Sequence, residues 1–397
     1  MRIVLIILFF IILSCSLLSN VFGAAFLIYN QDIKANSMGM AVSASIDNPS
    51  CVFYNPALMT EKNGFSVLSG DIMIYPEITY KDPVSNKGYE TKTRAHHIPH
   101  IYSKYSDIYT GFGIGVYSLF GLSTEWSNNW SGRYNIIFAE IKTTFINPVI
   151  SRKVNDNLSI GGGLFYVKSS VTFKSALNLF PLIDGISRLS GDGDGIGYNL
   201  AALIKFPKDY SLSFTYRSPV NIKYNGKAKF YLPAPLISNQ TGATTKLTLP
   251  FLFVTGIAKK INNFVIESDI LFTGWSSMNS YRIKSDNGMA DGFFYKDWRN
   301  TITWALGVNY KINNTAEIST GYMLDRTPIP KRTLGPELPD STRHIFTAGY
   351  SYKKSRFGFN MGYQATFFNN TRSHMKDMNG KYTGFAHLIM FGMEYGN

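Results

Sequence analysis

Long stretches of the chain alternate apolar and polar residues with a period of two. Phe357, Phe359, Met361, Tyr363, Ala365 and Phe367 interleave with Gly358, Asn360, Gly362, Gln364 and Thr366. Tyr210, Leu212, Phe214 and Tyr216 do the same against Ser211, Ser213, Thr215 and Arg217. So do Phe264, Ile266, Ile270 and Phe272 against Glu267, Asp269 and Thr273, and Ala316, Ile318, Tyr322 and Leu324 against Glu317, Ser319 and Asp325. Successive side chains of a strand point to opposite faces, so each stretch predicts a β-strand with one aromatic, apolar face and one small or polar face. A soluble sandwich shows the same alternation, but its apolar faces must meet one another. Aromatic faces on strands of about ten residues fit a wall that faces lipid.

The connections sharpen this. Tight polar turns are expected at Ser106-Asp107, Asn155-Asp156-Asn157, Pro207-Lys208-Asp209, Asn262-Asn263, Asn313-Asn314 and Lys353-Lys354-Ser355. Longer connections are expected around residues 82–91, 121–138, 175–191, 226–244, 285–296, 327–340 and 370–380. Short and long connections alternate, which gives about six turns, about seven loops and roughly fourteen antiparallel strands, both termini lying on the turn side. The fold class expected is therefore all-β, a transmembrane antiparallel β-barrel. In outer-membrane barrels the short turns and the termini are periplasmic and the long loops are outside.

Composition agrees. Aromatic residues are 15% and charged residues 16% of the 397, whereas soluble domains carry about a quarter charged residues. The net charge of +13 raises nucleic acid as a partner, but the Lys and Arg residues are scattered singly with no basic run. They suit solvated loops above outer-membrane lipid and anionic lipopolysaccharide, and no nucleic acid is expected. Residues 1–23 read as a signal peptide: Arg2, an apolar core from Ile3 to Leu13, then Val21 and Gly23 at the positions preferred before a cut at Ala24. A competing cut before Cys15 follows from a weak lipoprotein box at Ile12-Leu13-Ser14-Cys15. After cleavage Cys51 is the only cysteine, so no internal disulfide forms. Beyond the leader no run of 18 apolar residues predicts a membrane helix.

Residues 24–57 break the strand pattern, mixing small residues with a few large apolar ones and closing on Asn55-Pro56-Ala57. A barrel of more than about eight strands is too wide for its own side chains to fill. This segment is the expected plug, giving a division into residues 1–23 (signal peptide), 24–62 (hatch) and 63–397 (barrel). The Ala-Ala-Phe start, Met38-Gly39-Met40-Ala41 and Asn55-Pro56-Ala57-Leu58 resemble the N-terminal hatch of FadL/TodX-type outer-membrane channels for long-chain fatty acids and other hydrophobic compounds. The resemblance continues through Gly191-Asp192-Gly193, Gly197-Tyr198-Asn199, Thr215-Tyr216-Arg217-Ser218-Pro219-Val220, Lys246-Leu247-Thr248-Leu249-Pro250, Thr273-Gly274-Trp275-Ser276 and Tyr295-Lys296-Asp297-Trp298-Arg299.

That resemblance implies a fourteen-stranded barrel and passive import; with no G-x-S-x-G elbow, zincin motif or dinucleotide-type glycine loop in the sequence, neither a cofactor nor enzymatic activity is expected. It places Phe26 in a ligand pocket and Asn55-Pro56-Ala57 against a kinked third strand. That strand carries Gly111, Gly113 and Gly115, with Gly121 beyond the bend; the same glycines also suit a smooth lumenal stripe against the plug. Arg217 faces the lumen by alternation and is expected either to pair with Glu267 or Asp269 or to bind a cargo carboxylate. The family's basic residue ahead of Tyr-Lys-Asp has no counterpart here; Asp291 falls near its place, flanked by Lys284 and Lys296, which become the candidate ligand cations. Residues 175–189 are apolar enough for a short lid helix or for packing against neighbouring loops. His96, His97 and His100 invite a metal reading; on a strand His96 and His100 share a face, but no third ligand is visible nearby. The function expected is uptake of long-chain fatty acids or similar hydrophobic molecules by a monomer; alternatives are aromatic or alkane uptake, or a structural or adhesin barrel.

Overall fold

The computed structural model describes residues 25–396; the signal-peptide assignment lies outside these residues. Among them the strands make fourteen antiparallel staves. They are β1 (Gly64–Lys81), β2 (His96–Ser106), β3 (Thr110–Tyr117, resuming at Gly121–Glu125), β4 (Phe138–Asn155), β5 (Leu158–Leu177) and β6 (Gly185–Phe206). There follow β7 (Tyr210–Arg217 and Val220–Tyr231), β8 (Asn239–Leu249 and Leu252–Ile261), β9 (Phe264–Thr273 and Ser280–Ser285) and β10 (Gly292–Tyr295 and Thr301–Lys311). The last are β11 (Ala316–Asp325), β12 (Arg343–Lys354), β13 (Phe357–Arg372) and β14 (Lys381–Gly396). Each pairs with its sequence neighbour, and β14 returns to β1 from Ser66↔Gly396 to Lys81↔Lys381, closing the wall.

The period-two pattern sorts the side chains as expected. On β13 Phe357, Phe359, Met361 and Tyr363 are exposed outward, while Asn360, Gln364 and Thr366 are buried toward the lumen. The six tight turns fall where their polar residues predict, and Lys208 and Asp209 both adopt the left-handed backbone (φ 66 and 59) that suits a two-stranded hairpin turn. Residues 175–189 form no lid helix. β5 and β6 stay paired to Leu177↔Gly185, and the apolar residues there, Leu177 and Leu189, pack on Ala228 and Phe230 of β7. Alternation won over apolar content because the hairpin has a neighbouring hairpin to lie against.

Residues 25–62 touch opposite walls of the closed barrel and so lie inside it. Asp32 caps the short helix α1 (Ile33–Ser37), its carboxylate accepting from Ala35 N at 3.0 Å. A second turn, α2 (Cys51–Tyr54), runs into a 3-10 turn, Pro56–Glu61, capped by Asn55. Glycines on the wall clear the space: a Cβ on Gly113 would lie 2.5 Å from Val52, one on Gly161 2.8 Å from Ala57 N, and one on Gly321 2.2 Å from Gly39 N. Polar latches hold the segment in register. Val42 N and Ser43 N donate to Asp269 at 3.1 and 3.0 Å, Ala44 N donates to Glu267 at 2.5 Å, and Lys34 bridges Asp47 and Glu317 at 2.8 and 2.6 Å.

A wall with every strand paired resists detergent until heated. Unheated protein is therefore expected to migrate faster on a gel than boiled protein; identical mobility would contradict the closed barrel.

Candidate functional site: a cavity opening between β2 and β3

The wall is incomplete between β2 and β3. β2 and β3 pair from Ser106↔Gly111 to Ile101↔Val116 and no further. Past Tyr117 the chain turns off the ladder, and Gly121–Glu125 then pairs with β4 alone. Residues 96–100 of β2 keep β1 on one side and have no strand on the other. A bridge at Thr91↔Trp126 and a bond from Lys92 N to Glu125 O (2.7 Å) close the slot at its loop end.

The break is held by the start of the lumenal segment. Leu27 bridges Phe120, Ile28 N donates to Leu119 O at 2.8 Å, and Gly121 N donates to Phe26 O at 2.9 Å. Gln31 Nε2 reaches Ser118 O at 2.6 Å, while Thr143 Oγ1 donates to Phe120 O at 2.6 Å. Backbone groups freed by the bend are thus re-satisfied, which an apolar surrounding requires. The Phe26 ring wedges among Trp275, Trp298 and Phe120, with centroids 5.0, 5.7 and 5.8 Å away.

A cavity of about 530 Å³ runs from this break into the lumen, within the size range of small-molecule sites. Ile28, Ile98, Leu122, Leu271, Ile345 and Leu388 line its interior, and Arg94, His96, His97 and Glu125 lie at the slot. Glu125 binds both Lys92 (2.6 Å) and Arg94 (2.9 Å). His96 and His100 face inward, whereas His97 points out and meets Asp71 of β1, Nδ1 to Oδ2 2.6 Å.

The residues anticipated from sequence are dispersed. Gly121 lines the cavity; Gly111 and Gly113 sit lower, against Met59 and Val52, and Gly115 against Tyr102. Asn55 donates to Ser43 O at 2.7 Å and accepts from Ala57 N, and Pro56 and Ala57 lie on Gly161 of β5. The bend of the third strand is therefore braced by residues 26–31 rather than by Asn55-Pro56-Ala57. Phe26, expected in a ligand pocket, does not line the cavity: its ring packs on Trp275, Trp298 and Phe120, while Leu27 and Ile28 line it. Lys284 is exposed on β9. Lys296 binds Glu337, linking two long loops; burial works against its ammonium, but Glu337 outweighs this and its pKa is pushed up.

Arg217 makes neither expected ion pair. Its Nη1 donates to Tyr117 Oη (2.7 Å) and Asn147 Oδ1 (3.4 Å), its Nη2 to Phe53 O (3.3 Å), and the rings of Phe53, Phe165 and Tyr117 stand 4.9, 5.2 and 5.6 Å from its Cζ. Glu267 and Asp269 are occupied by the amides of residues 42–44 instead. The crevice beside Arg217 holds about 20 Å³, room for about one water. The missed residues, Ile98, Leu122, Leu388 and the Asp71–His97 pair, carry one usable signal: Asp71 and His97 fall on the outward register of otherwise apolar strand faces.

A closed barrel of this topology, with a filled lumen and a side opening, defines a membrane transport β-barrel. The chain belongs to the outer membrane protein transport protein family (OMPP1/FadL/TodX), whose model matches residues 15–395. It is an outer-membrane protein. A long-chain fatty acid transport protein of Escherichia coli O6:H1 (strain CFT073) is 26% identical over 371 residues, spanning 81% of this chain and 82% of the relative. A 47 kDa outer membrane protein of Pasteurella multocida is 25% identical over 402 residues, 91% of each. Among solved structures, a Pseudomonas aeruginosa FadL homologue superposes with a TM-score of 0.84 at 20% identity, over 94% of this chain and 99% of the other. The Pseudomonas putida toluene transporter TodX gives 0.73 at 15%, over 95% and 99%.

Arg217→Met keeps the side chain's bulk and removes three buried donor contacts. The expected loss of stability is about 1–3 kcal/mol, read as a lower denaturation midpoint, with cargo affinity unchanged. Lost affinity at an unchanged midpoint would instead assign Arg217 to the cargo.

Proposed function

We propose that the protein is a passive channel that takes up long-chain or otherwise hydrophobic molecules, holds them in the β2–β3 cavity and releases them sideways through the slot. In this reading the turns and both termini are periplasmic, and the lumenal segment is a hatch that blocks straight passage. The observation that carries it is a single cavity, apolar within, which reaches the one stretch where β2 lacks a neighbour. Fatty-acid and toluene transporters among the relatives favour an apolar or amphipathic cargo. Passive transfer requires sites firm enough to load yet weak enough to empty, and a wall of mainly aliphatic contacts whose buried cation, Arg343, is already paired with Asp340 at 2.9 Å suits that.

Descent past the hatch is the second reading. Space on that side, about 320 Å³, is lined by Lys34, Asp47, Lys62, Glu317, Lys353 and Glu394. An apolar cargo would have to strip water from those charges, which favours the lateral route.

Gly121→Val adds bulk where a Cβ would already meet Ile28 at 2.7 Å. Normal membrane insertion is expected, with roughly tenfold slower uptake of a radiolabelled long-chain acid by cells, about 1.4 kcal/mol in barrier, and undiminished binding to purified protein. Undiminished uptake would reject the slot as the exit.

A further inference from the structure

Asp71 and His97 occupy an environment that disfavours them. Their neighbours Ile72 and Ile98 turn inward onto Ile33 of the lumenal segment, so Asp71 and His97 turn out. In register Asp71 lies between Phe391 of β14 and Pro99 of β2, inside the apolar belt. Their side chains are 38% and 56% exposed. Ionisable groups on the lipid face of a barrel are unfavourable, most of all away from the interfaces, and ones that persist mark functional positions. His97 also lies on the unpaired edge of β2 and lines the cavity mouth.

We propose that His97, oriented by Asp71, hands a proton to the carboxylate of an acidic long-chain cargo as it leaves through the slot. This rests on the lateral route proposed above. An ionised carboxylate is poorly tolerated in hydrocarbon, whereas the neutral acid partitions with its tail. The proton must therefore join at the point of exit. Asp71 accepts from Nδ1 at 2.6 Å, which fixes the ring and leaves Nε2 for the cargo, the arrangement by which a carboxylate sets which imidazole nitrogen faces outward. The Nε2–H bond breaks, an O–H bond forms on the cargo, and neutral imidazole regains its proton from water at the mouth.

The surrounding charges are engaged with one another: deeper in the cavity Arg343 binds Asp340 at 2.9 Å and Asp325 accepts from Thr303 at 2.8 Å. Across the slot, Glu140 and Lys142 of β4 bind each other at 2.9 Å. At the rim, Lys92 and Arg94 share Glu125. His96, next in the chain, turns toward the lumen. Imidazole is the side chain whose ordinary pKa lets it both give and regain a proton near neutral pH.

The test uses the full-length protein in vesicles with lipopolysaccharide in the outer leaflet, with release of pyrene-labelled hexadecanoic acid and the matching alcohol followed by a quencher in the bilayer. The wild type should release the acid faster below the imidazole range than above it. His97→Gln, which keeps a hydrogen bond to Asp71, should slow acid release at least tenfold at pH 6 and flatten the pH profile, leaving the alcohol unchanged. Asp71→Asn, which loses the oriented ring, should slow acid release but not alcohol release, and Asp71→Glu should restore it. Equal acid release by wild type and folded His97→Gln, or equal slowing of acid and alcohol, overturns the proton-transfer role alone. A wild type that releases neither probe overturns the lateral route, and this proposal with it.

Discussion

Backbone amides and carbonyls cannot be left bare in hydrocarbon, and this constraint governs the molecule. Fourteen paired staves satisfy most of it, and along residues 96–100 β2 has a strand on one side only. The structure does not leave the resulting bend unsupported. Residues 26–28 supply a short strand-like contact to residues 119–121, and Gln31 and Thr143 complete the bonding. The opening in the wall and the plug in the lumen are therefore one construction: the N-terminal segment is what makes the bend affordable.

The same segment is anchored far from the bend by a different chemistry. Carboxylates on β9 and β11 receive backbone amides and the Lys34 ammonium, and wall glycines let α1 and α2 approach closely. Removing one partner from such a buried contact leaves a charge or donor uncompensated. The lumenal segment is fastened at the turn end by ions and glycine contacts, and fitted at the slot by aromatic rings and backbone pairing. The cavity's aliphatic interior and the charged space on the other side of the lumenal segment then give the two candidate routes different solvation costs.

Alternation and turn chemistry made the barrel legible, because period two reports which side a residue faces and tight turns report where strands end. The same signal says nothing about which distant strand a lumenal side chain meets. Arg217 could be placed inside but not paired: Tyr117, Asn147 and Phe53 lie on three other elements. Asn55-Pro56-Ala57 could be recognised as a capped turn, yet its seat on Gly161 rather than at the bend depends on how the plug is rotated. The apolar run at residues 175–189 left a lid helix and packing on neighbouring loops both open, because its partner, Phe230, is forty or so residues further along, outside any local window. His97 was weighed with His96 and His100 as a possible ligand set, when its opposite register set it apart.

Photoaffinity mapping tests the central claim most directly. A long-chain alkyl probe bearing a diazirine near its tail would be loaded on the purified barrel and the labelled residues identified by peptide mass spectrometry. Labelling at Ile98, Leu122 and Leu388, along the cavity that ends between β2 and β3, is the predicted result. Labelling confined to the charged space around Lys62, Asn313 and Asn360 would contradict a lateral path and place the cargo's route through the plug.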